Sequence, residues 1–388
     1  MSVKIEFVEK AVRPGARMSV LCRDYGISRE TGYKWLNRFK REGPDGLDER
    51  SRRPKSSPLS TAEDLVLAIL KLREAYPRRG PRKLRVMLER KFGKQTPSVA
   101  TTARILKRSG MTRQRSRFRR LSMVEAAPTT KASACNEIWT VDFKGWWYAK
   151  DGAHCEPLTV RDAFSRYILA VKVLESPSLD AVRRVFEQLF RKYGVPNCIQ
   201  CDNGTPFIHV RARGGLTRLS VWWMSLGIKV IRSRPGCPQD NGGHERMHRD
   251  LREDVQSYPA DCLTAEQRAC DRWKQEFNHV RPHDALGGKV PADIYARSQR
   301  RPIATKYLYP SSWIVRNVNR HGSVGVSHES VWVSESLTGQ SVGLEPVQDT
   351  HYRLWFRDLD LGTVELPVPN VVIDSAVQMH LDKKKKAA

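Results

Sequence analysis

No apolar run in this 388-residue chain approaches the roughly 20 residues that a membrane-crossing helix needs, so no such span is expected. No secretory leader is legible at its start. A cysteine framework is also missing. The eight cysteines are scattered, and only Cys198 and Cys201 have CxxC spacing. Their segment reads as a strand, on which residues three apart point to opposite faces roughly 10 Å apart. That spacing excludes both a disulfide and a zinc pair, and the expected setting is a reducing cytoplasm. The first third is short of acids: residues 1–130 hold 32 Lys+Arg against 13 Asp+Glu, within a chain of net charge +26. A front end this basic points to a polyanionic partner, because neutralised phosphates release counterions.

What is present is enough apolar material, 40% of residues, to build cores for two to four domains. Residues 4–13, Met18–Tyr25 and 29–42 read as three helices, with Gly26 as the turn and Ser28 as an N-cap. Ile5, Val8, Val12, Trp35, Leu36 and Phe39 form the expected core. Arg29, Lys34 and Arg38 line the candidate DNA-reading helix. After a basic, proline-punctuated linker at 47–60, a second three-helix unit is expected over 61–112. Its last helix carries Val99, Ala103 and Leu106 inward and Arg104, Lys107 and Arg108 outward. An Arg-rich linker over 113–135 adds Arg115 and Arg117 as phosphate contacts.

From 136 to 296 the pattern becomes α/β. Strands are expected at Ile138–Phe143, Cys155–Asp162, Tyr167–Leu174, Asn197–Cys201 and Ile228–Ile231, and helices at Ser178–Tyr193, Leu216–Leu226, Gly242–Tyr258 and 264–278. Three acids punctuate this order. Asp142 lies inside an apolar strand, where a lone carboxylate is costly to bury. Asp202 ends a strand just before Asn203-Gly204, and Glu245 opens a helix. Carboxylates that converge suit Mg²⁺, a hard cation that takes few protein oxygens and completes its shell with water and phosphate. Asp162 and Asp254 are the competing first and third acids. Beyond 310, short Val/Trp/Tyr-rich runs to residue 368 suggest a small antiparallel β-barrel, followed by a loose basic tail at 369–388.

The order of strands and acids is that of an RNase H-like core. The stretches Trp139–Gly145, Asp202–Phe207, Pro235–Arg246 and Asn278–Gly287 resemble the retroviral-integrase-type DDE domain of bacterial insertion-sequence transposases. One departure is the forty-two residues between Asp202 and Glu245, more than is usual, with the excess assigned to a loop at 209–215. The resemblance implies a fold of two helix-turn-helix modules (1–46 and 61–112), an RNase H-like core and a C-terminal barrel. It implies Asp142, Asp202 and Glu245 as both catalytic residues and ligands of two Mg²⁺ ions, with Mn²⁺ as a substitute. It implies double-stranded DNA as element ends and target, a homo-multimer on paired ends, an open question of an ATPase helper, and a bacterial, nucleoid-associated location. Arg249 and Arg252, at i+4 and i+7 from Glu245, are candidate phosphate contacts. A DNA-binding regulator with a catalytically silent core and a plain nuclease are the competing readings.

Overall fold

The computed structural model describes residues 3–49, 60–112, 131–209, 211–234, 242–326, 329–348 and 350–366. The chain divides into two compact units, Met1–Glu63 and Asp64–Ala388.

In the first unit, α1 (Val3–Ala11), α2 (Met18–Asp24) and α3 (Arg29–Glu42) surround Phe7, which meets Tyr25 and Trp35 edge-on at 5.4 and 5.5 Å. The Ser28 side chain caps α3 by accepting from Thr31 N at 3.1 Å, as its sequence position implies. Val8 is buried and Ile5 packs against the core as expected, Phe7 and Cys22 join them, and Val12 is exposed. Lys34 and Arg38 lie one turn apart on α3, while Arg29 stands on the opposite side at 100° per residue.

The second unit starts with another three-helix module: α4 (Glu63–Ala75), α5 (Pro81–Phe92) and α6 (Val99–Arg108). Ile69, Leu84, Leu88, Ile105 and Leu106 form its core. The buried stripe of α6 runs through Thr102, Ile105 and Leu106, not Val99 and Ala103, and leaves Arg104, Lys107 and Arg108 exposed. Arg115 and Arg117 lie outside the described residues.

The α/β layer is built on one sheet. Its strands are β1 (Ile138–Phe143), β2 (Trp147–Tyr148), β3 (His154–Asp162), β4 (Ile168–Leu174), β5 (Cys198–Cys201) and β6 (Lys229–Arg232). The path is β4-β3-β1-β5-β6, with the short β2 also on β3. β3 pairs antiparallel with both β1 and β4, whereas β1, β5 and β6 run parallel. This order and mixture of directions make an RNase H-like core. α7 (Leu179–Tyr193) and α8 (Arg218–Ser225) cover one face, where Phe186, Phe190 and Trp223 pack on Trp139 and Val141. α9 (Gly242–Leu251), continued by a π-helical turn at Arg252–Gln256, and α10 (Leu263–His279) cover the other.

The second helical module is tied to this core by charge. Arg79 pairs with Glu276, Arg78 reaches Glu253 at 2.7 Å and Asp254 at 2.9 Å, and Arg281 bridges Asp250 at 2.8 Å and Asp254 at 2.7 Å. Trp273 Nε1 also donates to Asp254, at 3.1 Å. The competing third acid is therefore held by three donors as a strut between helices.

The competing first acid is structural as well. Asp162 is fully buried and accepts from Asn136 N at 2.7 Å, Ser165 N at 2.8 Å and Ser165 Oγ at 2.6 Å, fixing the β3–β4 turn. Asp162→Ala would orphan three donors in a dry turn, which should cost about 3 kcal/mol. A urea titration followed by tryptophan fluorescence would read this as a lowered midpoint. An unchanged midpoint would refute it.

The C-terminal expectation needs correction. β7 (Ile314–Asn317), β10 (Ser341–Gln348), β11 (His351–Phe356) and β12 (Leu359–Glu365) form an open sheet in the order β12-β11-β10-β7. β8 (Ser323–Val326) and β9 (Glu329–Trp332) form a separate ribbon. Among the described residues the edge strands β7 and β12 do not join, so there is no closed β-barrel. The apolar face is buried without closure: Val324, Val326 and Val333 pack over it from the ribbon side, and Leu216 and Val221 of the core complete the cluster. The loop that lengthens the Asp202–Glu245 interval belongs here too, since its turn at Arg213–Gly215 packs against Leu359 and Leu361 of β12.

Candidate functional site

A strand covered on both faces should be apolar on both, and β1 is not. Trp139 and Val141 face α7, while Thr140 and Asp142 face α9. The antiparallel register sets Thr140 opposite Arg161 and Asp142 opposite Thr159, so four polar side chains share one otherwise buried patch. Such a patch is costly unless each group finds a partner, and α9 supplies partners.

The parallel register sets Thr140 beside Gln200. Continued by two residues, it brings Asp202 beside Asp142 at the ends of neighbouring strands, with axes about 4.8 Å apart. Asp202 is exposed, and its Oδ1 accepts from Gly204 N at 3.2 Å, which turns the chain away from the strand end. Glu245 sits in the first turn of α9, exposed, next to the buried stripe His244, Met247 and Leu251.

The electrostatics show that the acids share a field. The Asp142 side chain keeps only 23% of its surface. Burial first, then the charges of Asp202 and Glu245, push its carboxyl up to about 7. Lys144 is lowered by burial and by Arg252, which places Arg252 near the same rim. Arg249 is exposed one turn from Glu245. Among the described residues, no three Asp, Glu, His or Cys side chains stand as a closed metal-ligand group. The donor set is nevertheless the kind that fits a divalent cation: oxygen-only, mutually repelling, and open on one side for water and phosphate.

Two histidines of α9, His244 and His248, are internal. His244 is fully buried and its pKa lies well below the usual histidine range, from burial first. His248 is pulled down to about 3, again by burial and then by Lys144 and Arg161. Both rings hydrogen-bond to Thr159, a residue the sequence reading did not single out. Its signal was the polar alternation of Thr159 and Arg161 in an apolar strand. Among the tryptophans of this unit, Trp147 and Trp223 are core. Trp222 packs at the edge of that core, against Phe190, and Trp146 is exposed beside Tyr148 and His154. Gln239 and Asn241, within the Pro235–Arg246 stretch, lie outside the described residues.

Residues 132–238 match the family model described as "Integrase core domain", and residues 226–291 match a second model of the same description. The chain carries an integrase core. Residues 3–55 match "Helix-turn-helix domain" and residues 31–106 "Homeodomain-like domain". The chain thus sets an integrase core behind helix-turn-helix modules, and proteins of insertion elements are among its relatives. The insertion element IS407 31.7 kDa protein of Burkholderia multivorans is 27% identical over 238 residues, covering 61% of this chain and 82% of that protein. The insertion element IS476 39.2 kDa protein of Xanthomonas euvesicatoria is 25% identical over 254 residues, covering 65% and 70%. Among solved structures, the HTLV-2 integrase catalytic core domain in complex with magnesium is 19% identical, covering 43% of this chain and all of that one, with a TM-score of 0.35. For the integrase core of this chain, the fold is carried by its own strand order. No helix among the described residues is long and apolar enough to cross a membrane.

Proposed function

We propose that this chain binds the terminal inverted repeats of a mobile element and catalyses metal-dependent 3′-end cleavage followed by strand transfer into target DNA. The observation that supports the reading most is the parallel β1–β5 register, which sets Asp202 beside Asp142 at the ends of neighbouring strands, while the charges of Asp202 and Glu245 both push the Asp142 carboxyl up. Asp142, Asp202 and Glu245 would hold two Mg²⁺ ions, or Mn²⁺, whose chemistry is to stabilise the attacking and leaving oxygens of an in-line phosphoryl displacement. The protein's own contribution is placement. β1 and β5 fix two carboxylates on a rigid sheet, and α9 brings the third over it. Lys144, Arg249 and Arg252 are cations at the same rim and would hold DNA phosphates against it. Arg104, Lys107 and Arg108 on α6, and Lys34 and Arg38 on α3, are the proposed contacts to the element end, with the protein acting as a multimer on paired ends.

Labelled end DNA incubated with the full chain and Mg²⁺ separates the readings. Joined product is the expected result. Cut but unjoined DNA would leave a nuclease, and bound but unchanged DNA would leave a regulator with a silent core.

A further inference from the structure

The polar patch between β1, β3 and α9 has a single hub. Thr159 is fully buried and lies directly opposite Asp142 in the strand register. Its hydroxyl donates to the Asp142 carbonyl at 2.8 Å. A hydroxyl has one proton and two lone pairs, so the remaining partners must donate to it. Those partners are His244 Nε2 at 2.9 Å and His248 Nε2 at 2.8 Å. With Nε2 carrying the proton on a neutral ring, His244 Nδ1 is left as an acceptor, and Thr140 Oγ1 lies 2.8 Å from it. The Thr159 hydroxyl and both nitrogens of His244 are thereby used, and His248 Nδ1 faces Asp142 Oδ2 at 4.0 Å, beyond hydrogen-bond reach. The hub joins three elements: β3 through its own backbone, β1 at the residue that bears the first acid, and α9 at the two histidines that flank Glu245 in sequence and along the helix.

We propose that Thr159 is a positioning residue that sets the placement of Glu245 relative to Asp142, and so the affinity of the acidic site for its divalent cations. This rests on the reading of that site given above. The hydroxyl matters, not the volume. Thr159→Val keeps the shape but leaves two buried imidazole donors without an acceptor and frees α9 to shift. Groups that orient metal ligands from behind typically contribute 10- to 100-fold in affinity.

The test uses the full-length chain and Mn²⁺ as the probe. Bound Mn²⁺ is counted by electron paramagnetic resonance, and strand transfer is measured across Mn²⁺ concentrations. Thr159→Val is expected to weaken Mn²⁺ binding at least tenfold. Its strand transfer should be lost at low Mn²⁺ and largely regained at high Mn²⁺, with end-DNA binding in EDTA unchanged. Thr159→Ser, which keeps the hydroxyl, should restore Mn²⁺ affinity. Should Thr159→Val fail to fold, Thr140→Val, which removes only the donor to His244, is expected to weaken Mn²⁺ binding by a smaller factor. Wild-type Mn²⁺ affinity in the foldable valine variant, or a serine variant as weak as valine, overturns the proposal. A wild-type chain that binds no Mn²⁺ and alters no DNA overturns the site reading and this inference with it. A wild-type chain that does both, beside an unaffected valine variant, overturns this inference alone.

Discussion

Asp142→Asn yields a chain that still binds element ends, joins none, and melts at a higher temperature than the wild type when divalent cations are absent. The first two effects follow from losing the proposed metal-holding carboxylate of β1, and strand transfer should fall at least about 10³-fold, roughly 4 kcal/mol on the barrier. The third follows from linkage. Folding raises this carboxyl from 3.8 to about 7. Between those values the folded chain holds a proton that the unfolded chain has released, so stability falls as pH rises from about 4 to about 7 and stays low above it. The penalty at pH 8 is at most about 4 kcal/mol, set mainly by burial. Asparagine carries no such penalty. Mg²⁺ should recover the loss in the wild type and do little for the variant, because a cation that binds only the folded acids stabilises by mass action. Melting curves from pH 5 to pH 8, with and without Mg²⁺, read all of this. An Asn variant that melts at or below wild type at pH 8 in EDTA would show that the charged Asp142 carboxylate carries no such penalty.

The next largest effect is expected at Gly243, two residues before Glu245. A Cβ placed there would lie 2.6 Å from Arg161 Nη2 and 2.9 Å from Arg161 Cζ. Arg161 is buried on β3, and its Nη1 donates to the Gly243 carbonyl at 2.6 Å. A guanidinium at a chain's end usually swings aside, but this one is enclosed, and its own pKa is lowered to about 10, first by that burial. Either the arginine loses its carbonyl or the first turn of α9 lifts, and Glu245 moves with it. Gly243→Ala should therefore reduce strand transfer about 100-fold, since displacements of an ångström at a reacting centre have that cost. Arg161→Met, which removes the obstructing head, should be non-additive with Gly243→Ala in a double-mutant cycle. Additive losses would mean that the contact does not position α9.

The positions of the acids in sequence were informative because each carried its own local signal. Asp142 broke an apolar run, Asp202 preceded a sharp Asn-Gly turn, and Glu245 followed a glycine pair that starts a helix. Helix stripes were legible to within a residue, and slipped where a small or polar side chain took the inward position, as Cys22 and Thr102 did. The C-terminal strands were legible individually, but barrel closure was not. Closure depends on whether two edge strands meet, and here a valine-rich ribbon and two residues of the core cover the apolar face instead.

By itself, then, the sequence determined the order of elements, the basic front modules and which carboxylates interrupt apolar segments, since periodicity and turn chemistry are properties of neighbours along the chain. Only the tertiary structure decided that Asp162 and Asp254 are struts, that His244 and His248 turn inward, and that Thr159 links the Asp142 backbone to those two histidines. Those roles come from strand register and helix docking, which bring together residues more than a hundred positions apart and are set by the packing of the whole core.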